Sequence, residues 1–203
     1  KCTFLDFYDR MYIITKHGGI IPMENKFSET VAIVFVPNDK MREQKETIER
    51  LENILALNDT NFVPSLFERI EFEGTLKEKV NFRIKERLDD KYNYLLAFYN
   101  GEVVGFTELK FEIREIIDVA LYTISIGTSV VDPRFQGKGI AKRLYSTVEE
   151  IAVKANAQAV TRATWSLNCT QLNLYNKFGY SQYERIKDGR GPGNDLIKFY
   201  KLF

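Results

Sequence analysis

The stretch Val131-Asp132-Pro133-Arg134-Phe135-Gln136-Gly137-Lys138-Gly139-Ile140-Ala141 joins a strand pattern to a helix pattern. Before it, residues 121–131 alternate, with Ile124, Ile126, Thr128 and Val130 on one face and Ser125, Gly127 and Ser129 on the other. After it, Ile140, Leu144, Val148, Ile151 and Ala155 recur at helical spacing. A turn that feeds a helix leaves backbone N–H groups without partners. With the positive end of the helix dipole, these make an anion site. Gly137 and Gly139 have no side chain, so a phosphate can come close to the backbone, and Lys138, Lys142 and Arg143 add positive charge. The simplest ligand is a phosphate-bearing cofactor; the plainer alternative is that the two glycines only shape a turn.

Two familiar phosphate loops do not fit these residues. A Walker loop requires Ser or Thr after Gly-Lys, and here Gly139 follows Lys138. A Rossmann turn requires Gly-x-Gly-x-x-Gly, and position 142 is Lys.

Outward from this segment, the chain reads as alternating strands and helices. Thr30 to Val36 is a β-branched strand stopped by Pro37-Asn38-Asp39. Met41, Ile48, Leu51 and Leu55 predict one helix over roughly 40–57. Val63, Leu66, Phe67 and Ile70 fit a second, with Pro64 in its first turn, and Leu76, Val80, Ile84 and Leu88 a third. Tyr92 to Tyr99 and Glu102 to about Glu112 are strands joined by Asn100-Gly101, a hairpin signal. Downstream come a strand at Ala159–Trp165, a helix at Thr170–Lys177 and strands at 180–186 and 195–202. This order predicts an α/β fold, a mixed sheet with helices on its faces. Residues 1–29, with Gly18-Gly19 and Pro22, read as an N-terminal extension of uncertain structure, and 30–203 as one domain.

Composition bounds the function. At 203 residues, 44% hydrophobic and 28% charged, the chain is ordinary globular protein. A net charge of +1 gives no bulk attraction to nucleic acid. No long uncharged apolar run suggests a membrane span. Two cysteines, Cys2 and Cys169, and a single His17 argue against a disulfide scaffold and against a zinc cluster, so a cytoplasmic protein without a metal is expected.

The 131–141 run resembles motif A of the GNAT superfamily of N-acetyltransferases, whose Gln/Arg-x-x-Gly-x-Gly/Ala core is matched by Gln136, Gly139 and Ala141. Asn168 to Tyr180 is similar to motif B of the same superfamily, matching at Asn168, Leu174, Tyr175, Gly179 and Tyr180, with Gln171 where Ala is usual. The resemblance covers about residues 92–203 well, 30–91 only by element order and 1–29 not at all. It implies a mostly antiparallel central sheet flanked by helices on both faces. It implies acetyl-CoA as co-substrate, with Val130, Val131, Gln136, Gly137, Lys138, Gly139, Ile140, Ala141 and Asn168 binding it. Tyr175 matches the general acid, and a strand amide near Val130 the oxyanion donor. The acceptor implied is a small-molecule or peptide amine, and the protein a monomer or homodimer.

The base stays open. Residues 121–131 hold no Glu or Asp, leaving Glu108, Glu112 or a chain of waters. That gap keeps a non-catalytic CoA-binding sensor as the alternative function, and the small face of Ser125, Gly127 and Ser129 leaves room for a longer acyl group. Glu68, Glu71, Glu73 and Glu78 are either a solvated face or an attraction for a cationic acceptor. Gly189-Arg190-Gly191-Pro192-Gly193 reads as a mobile hairpin loop or a substrate lid.

Overall fold

Seven strands pair into one sheet, ordered in space as residues 31–36, 93–99, 102–116, 119–131, 159–165, 196–202 and, as a largely polar edge, 181–186. The computed structural model describes residues 31–203 and, before them, the antiparallel backbone pairing of β1 (Ile13–Ile14) with β2 (Ile20–Ile21). The expectations for Cys2, His17 and the Gly18-Gly19 turn lie outside the described residues. The sheet strands are β3 (Val31–Val36), β4 (Asn93–Tyr99), β5 (Glu102–Ile116), β6 (Val119–Val131), β7 (Ala159–Trp165), β8 (Ser181–Ile186) and β9 (Leu196–Leu202). Every neighbouring pair is antiparallel except β6 with β7. A parallel pair needs a crossover, and α5 (Ile140–Lys154) supplies it.

Helices cover both faces. One face packs Ile140, Leu144, Val148 and Ile151 of α5 and Tyr175 of α6 (Cys169–Lys177) against Ile124, Val131 and Phe199. The other packs α1 (Asn38–Arg42), α2 (Lys45–Leu57), α3 (Leu66–Arg69) and α4 (Leu76–Asp89) through Met41, Leu51, Leu66 and Ile84 onto Leu96, Phe106 and Val130. Among the described residues, no helix is long and apolar enough to cross a membrane.

Three local expectations are corrected, and one pair of alternatives is decided for the solvated face. The single helix over 40–57 is two, broken at Gln44, whose φ of −100° and ψ of 68° leave the helical region. Pro64 precedes α3 rather than sitting in its first turn, because Ser65 caps that helix. Glu68 and Glu78 each close a capping box, with Ser65 and Thr75, so they secure helix starts and do not line the cleft described below. The clean alternation of residues 121–131 fails: Ile124 and Val130 face opposite cores. The register slips between Thr107↔Ser129 and Leu109↔Ile126, so Gly127 and Thr128 together face Glu108. That β-bulge adds one residue to β6 and turns everything after it over.

Candidate active site

The parallel pairing of β6 with β7 runs only from Thr123↔Ala159 to Ser125↔Thr161. Beyond Ser125 the strands part, leaving residues 126–131 without a strand partner on the β7 side. Backbone polar groups freed in this way need another partner. The opening is part of a cleft of about 1010 Å³ lined by both strand ends, by the loop after β6 and by α6. Val130 and Val131 form its β6 edge.

At the end of that edge the chain turns into α5. Gly137 and Gly139 hold φ of +79° and +76°, left-handed values that favour glycine. Gly139 is the N-cap, and the first intrahelical bond is Arg143 N–H to Gly139 O at 3.1 Å. The N–H groups of the turn before it are thus free to meet an anion at the cleft. Gln136, Gly137, Gly139, Ile140 and Ala141 line the cleft. Gln136 Nε2 donates to Val131 O at 3.2 Å, tying the loop to the strand edge. Lys138 points elsewhere: its ammonium lies 5.2 Å from the centroid of the Tyr99 ring, and it does not line the cleft.

Asp132 anchors the loop from beneath and is fully buried. Its carboxylate accepts from Arg134 N–H at 3.0 Å, from Arg134 Nη2 at 2.7 Å and from Arg50 Nη2 at 2.7 Å. The Arg134 side chain, outweighing burial and joined by Arg50, holds the carboxyl far below the usual range. A depressed carboxyl stabilises the fold fully above its unfolded value of about 3.9, and that contribution fades as pH falls below it. Asp132→Asn is expected to lower stability at pH 7 by about 2 kcal/mol, from hydrogen bonds to a charged group. It should also flatten the acid limb of the stability curve, as urea unfolding at several pH values would show.

On the facing side, Asn168 caps α6 through Gln171 N–H at 3.2 Å and donates to Thr164 Oγ1 at 3.1 Å, fastening the helix to the end of β7. Tyr175 also lines the cleft. Its ring packs among Phe199, Tyr180 and Tyr145, with centroids 5.1, 5.9 and 6.2 Å away. Arg162, also buried, stands over these rings, 3.7 Å from the Tyr145 centroid and 5.5 Å from that of Tyr175. Burial, then Tyr145, pushes the Tyr175 hydroxyl well above its usual value, against the pull of the Arg162 charge. The exposed thiol of Cys169 opens the same helix and is not among the cleft-lining groups.

The bulge places a carboxylate behind the cleft wall. Glu108, fully buried, accepts Thr128 N–H on Oε2 at 2.7 Å, while its Oε1 has no partner. A Cβ at position 127 would meet Glu108 Oε2 at 2.6 Å, so only glycine leaves this arrangement intact. Glu112 is engaged by Arg114 at 2.7 Å and does not line the cleft. Arg69, Arg83, Arg87 and Arg190 line the far side of the cleft. Arg190 belongs to the 187–195 loop, which is internally bonded through Gly193 N–H to Asp188 Oδ1 at 2.7 Å and Asp188 N–H to Asp195 Oδ1 at 2.9 Å. Sequence reading missed these arginines because they lie on two helices and a loop that no single periodicity connects.

Residues 51–180 match a family described as the Acetyltransferase (GNAT) family. Over 110 residues the chain is 30% identical to N-acetylaspartate synthetase of Danio rerio and to that of Homo sapiens. Each match covers 54% of this chain but only 37% and 34% of those proteins, so the chain spans about a third of the curated relatives it matches. Among solved structures, an N-acetyltransferase of Staphylococcus aureus Mu50 superposes with a TM-score of 0.62 at 16% identity, over 85% of this chain and 98% of that one. The ribosomal-protein-alanine N-acetyltransferase of Brucella melitensis gives 0.62 at 16% identity, over 85% and 99%. A Salmonella typhimurium protein solved with its cofactor acetyl-CoA gives 0.61 at 16% identity, over 85% and 94%. At such identities these structures establish the fold: a mostly antiparallel sheet with helices on both faces.

Proposed function

The chain belongs to the GNAT family of acetyltransferases, and from that membership we propose that it transfers the acetyl group of acetyl-CoA to a primary amine by direct attack. One observation carries the reading: the parting of β6 from β7 opens straight onto the glycine turn that starts α5. A strand edge suits the amide-bearing pantetheine arm, and a helix start suits the diphosphate.

In this reading the turn from Gln136 to Ala141 grips the diphosphate by its backbone, and Gln136 holds that turn against Val131. Val130 and Val131 offer the strand edge, and Asn168 fixes the opposite wall. As the amine nitrogen bonds to the thioester carbon, a backbone N–H near Val130 faces the developing oxyanion. The C–S bond then breaks, and Tyr175 O–H supplies the proton to the departing sulfur. Glu108 lies behind the wall at Gly127 and Thr128 and does not itself line the cleft, so it receives the proton that the amine gives up through water. In this reading Glu108 of β5 stands in for the carboxylate absent from residues 121–131; a non-catalytic CoA-binding module is the alternative, which would bind acetyl-CoA and release no thiol. The name of the curated relatives makes an amino acid the first acceptor class to try.

Calorimetry with acetyl-CoA, followed by thiol release across an amine panel, tests this function. Folded protein that neither binds acetyl-CoA saturably nor releases CoA would end the proposal. Gly139→Asp is expected to weaken acetyl-CoA binding about 10–100-fold. It sets a negative charge at the helix start and a side chain at positive φ, which costs about 1–2 kcal/mol. The far-UV circular dichroism spectrum should stay close to the parent's.

A further inference from the structure

The far wall of the cleft gathers more positive charge than its surroundings neutralise. Arg83 and Arg87 project from α4, Arg69 ends α3, and Arg190 reaches in from the 187–195 loop. Arg83 and Arg87 have counter-charges: Glu108 Oε2 lies 3.5 Å from Arg87 Nε and 3.7 Å from Arg83 Nη2, and Asp90 Oδ2 lies 3.7 Å from Arg87 Nη1. Arg83 is also fixed by Thr128 Oγ1 at 3.3 Å and by Glu86 at 2.8 Å. Arg69 and Arg190 form no ion pair among the described residues, and the Nε atoms of Arg87 and Arg190 are buried without a hydrogen-bond partner. Burial, then repulsion from Arg190, Arg83 and Arg87, pushes Arg69 down to about 10. Burial and the Arg83 charge lower Arg190 as well. At neutral pH a group titrating near 10 keeps its proton, so the charges stay and repel. Half-buried like charges and unpaired donors are costly unless an anion joins them.

We infer that the amine accepted here is a small amino dicarboxylate, with Arg69 and Arg190 beside Arg83 and Arg87 gripping its two carboxylates and its amino end toward the wall at Gly127 and Thr128, behind which Glu108 lies. This inference rests on the acetyl-transfer reading of the same site. Two guanidiniums without counter-ions call for two carboxylates, and the planar guanidinium fork matches a carboxylate in two parallel hydrogen bonds. A free acidic amino acid supplies both groups close to its amine. A peptide with an acidic first residue retains only one there. A cationic acceptor would meet the uncompensated charges of Arg69 and Arg190.

The test uses the full chain saturated with CoA. Calorimetry is run with L-aspartate, L-glutamate, L-alanine, L-lysine, putrescine, phosphoethanolamine and an acidic dipeptide, and thiol release from acetyl-CoA is measured on the same panel. One of the two dicarboxylates should bind and be acetylated with kcat/KM at least about 100-fold above alanine, the worth of one or two charged hydrogen bonds. Arg69→Gln and Arg190→Gln should each raise its KM about 10–100-fold and leave acetyl-CoA affinity unchanged. Without acceptor, both variants should melt at the parent's temperature or above it, because a repelling charge has gone. A lower melting temperature with unchanged KM would make these arginines structural and overturn the inference. So would preference for alanine, lysine, putrescine, phosphoethanolamine or the dipeptide, or binding of no panel member, while acetyl transfer to any of them would still stand. Dicarboxylate binding without CoA release on any amine would do the opposite, keeping the anion site and removing the acetyltransferase function.

Discussion

Replacing Tyr175 by Phe is expected to cut turnover by roughly 10²–10⁴-fold, the usual worth of a positioned general acid. The substitution removes one oxygen and keeps the ring, so the packing against Phe199 and Tyr180 and the nearby Arg162 charge survive. The hydroxyl also contacts Ala163 O at 3.5 Å, too long for its loss to matter much to stability, and the Tyr145 hydroxyl, which keeps Gln171 Oε1 at 2.9 Å as a partner. Acetyl-CoA affinity should therefore hold within a few-fold. Burial makes Tyr175 a reluctant acid, since it disfavours the phenolate, and the buried Arg162 guanidinium opposes that penalty. The departing thiol titrates near 8.5, so above about pH 9 sulfur can leave unprotonated and the Tyr175→Phe defect should shrink. Steady-state kinetics across pH 6.5–10 reads both effects. Unchanged turnover at neutral pH would take Tyr175 out of the reaction.

Glu108→Gln should cost about the same, roughly 10²–10⁴-fold in kcat, with a different pH signature. The amide oxygen can still accept Thr128 N–H, but the counter-charge beside Arg83 and Arg87 is lost, so the melting temperature is measured with the kinetics. What disappears is the carboxylate proposed to take the amine's proton. The acceptor amine, if it titrates near 10 as Lys does, presents more free base as pH rises, and the variant should recover activity steeply toward that value. A merely structural role for Glu108 would lower activity evenly across pH. Full activity at pH 7 would return the base to water.

The chemistry-bearing segment was legible because it is local. Strand, glycine turn and amphipathic helix follow one another within residues 121–155, and each has its own pattern. The Asn100-Gly101 hairpin was legible for the same reason, both residues taking the positive φ values (51° and 81°) that the dipeptide signals. The next hairpin was not. Its turn is Ile117-Asp118, at φ of 49° and 61°, and isoleucine gives no warning of a left-handed backbone, so residues 113–120 went unread. The bulge at Gly127–Thr128 was equally hidden. It is a relation between two strands, expressed in β6 only as a glycine whose Cβ would strike Glu108. Of the two readings of the acidic residues at 68–78 the solvated face stands, since Glu68, Glu71, Glu73 and Glu78 are all exposed and none lines the cleft, while the arginines converge only through the tertiary fold.

The fork between β6 and β7 gives the protein something most sheets avoid, an unzipped seam in its own interior. Each half of the sheet is well knit, yet along the seam two rims of amide and carbonyl groups stand ready to accept a rung. A pantetheine arm, itself strung with amides, would bridge that seam like a borrowed strand. Its thioester carrier would then act as a member of the architecture as well as a reagent. The abundance of that carrier would set how tightly the two halves are tied, and how well the rims are shielded from neighbouring chains seeking an edge to join.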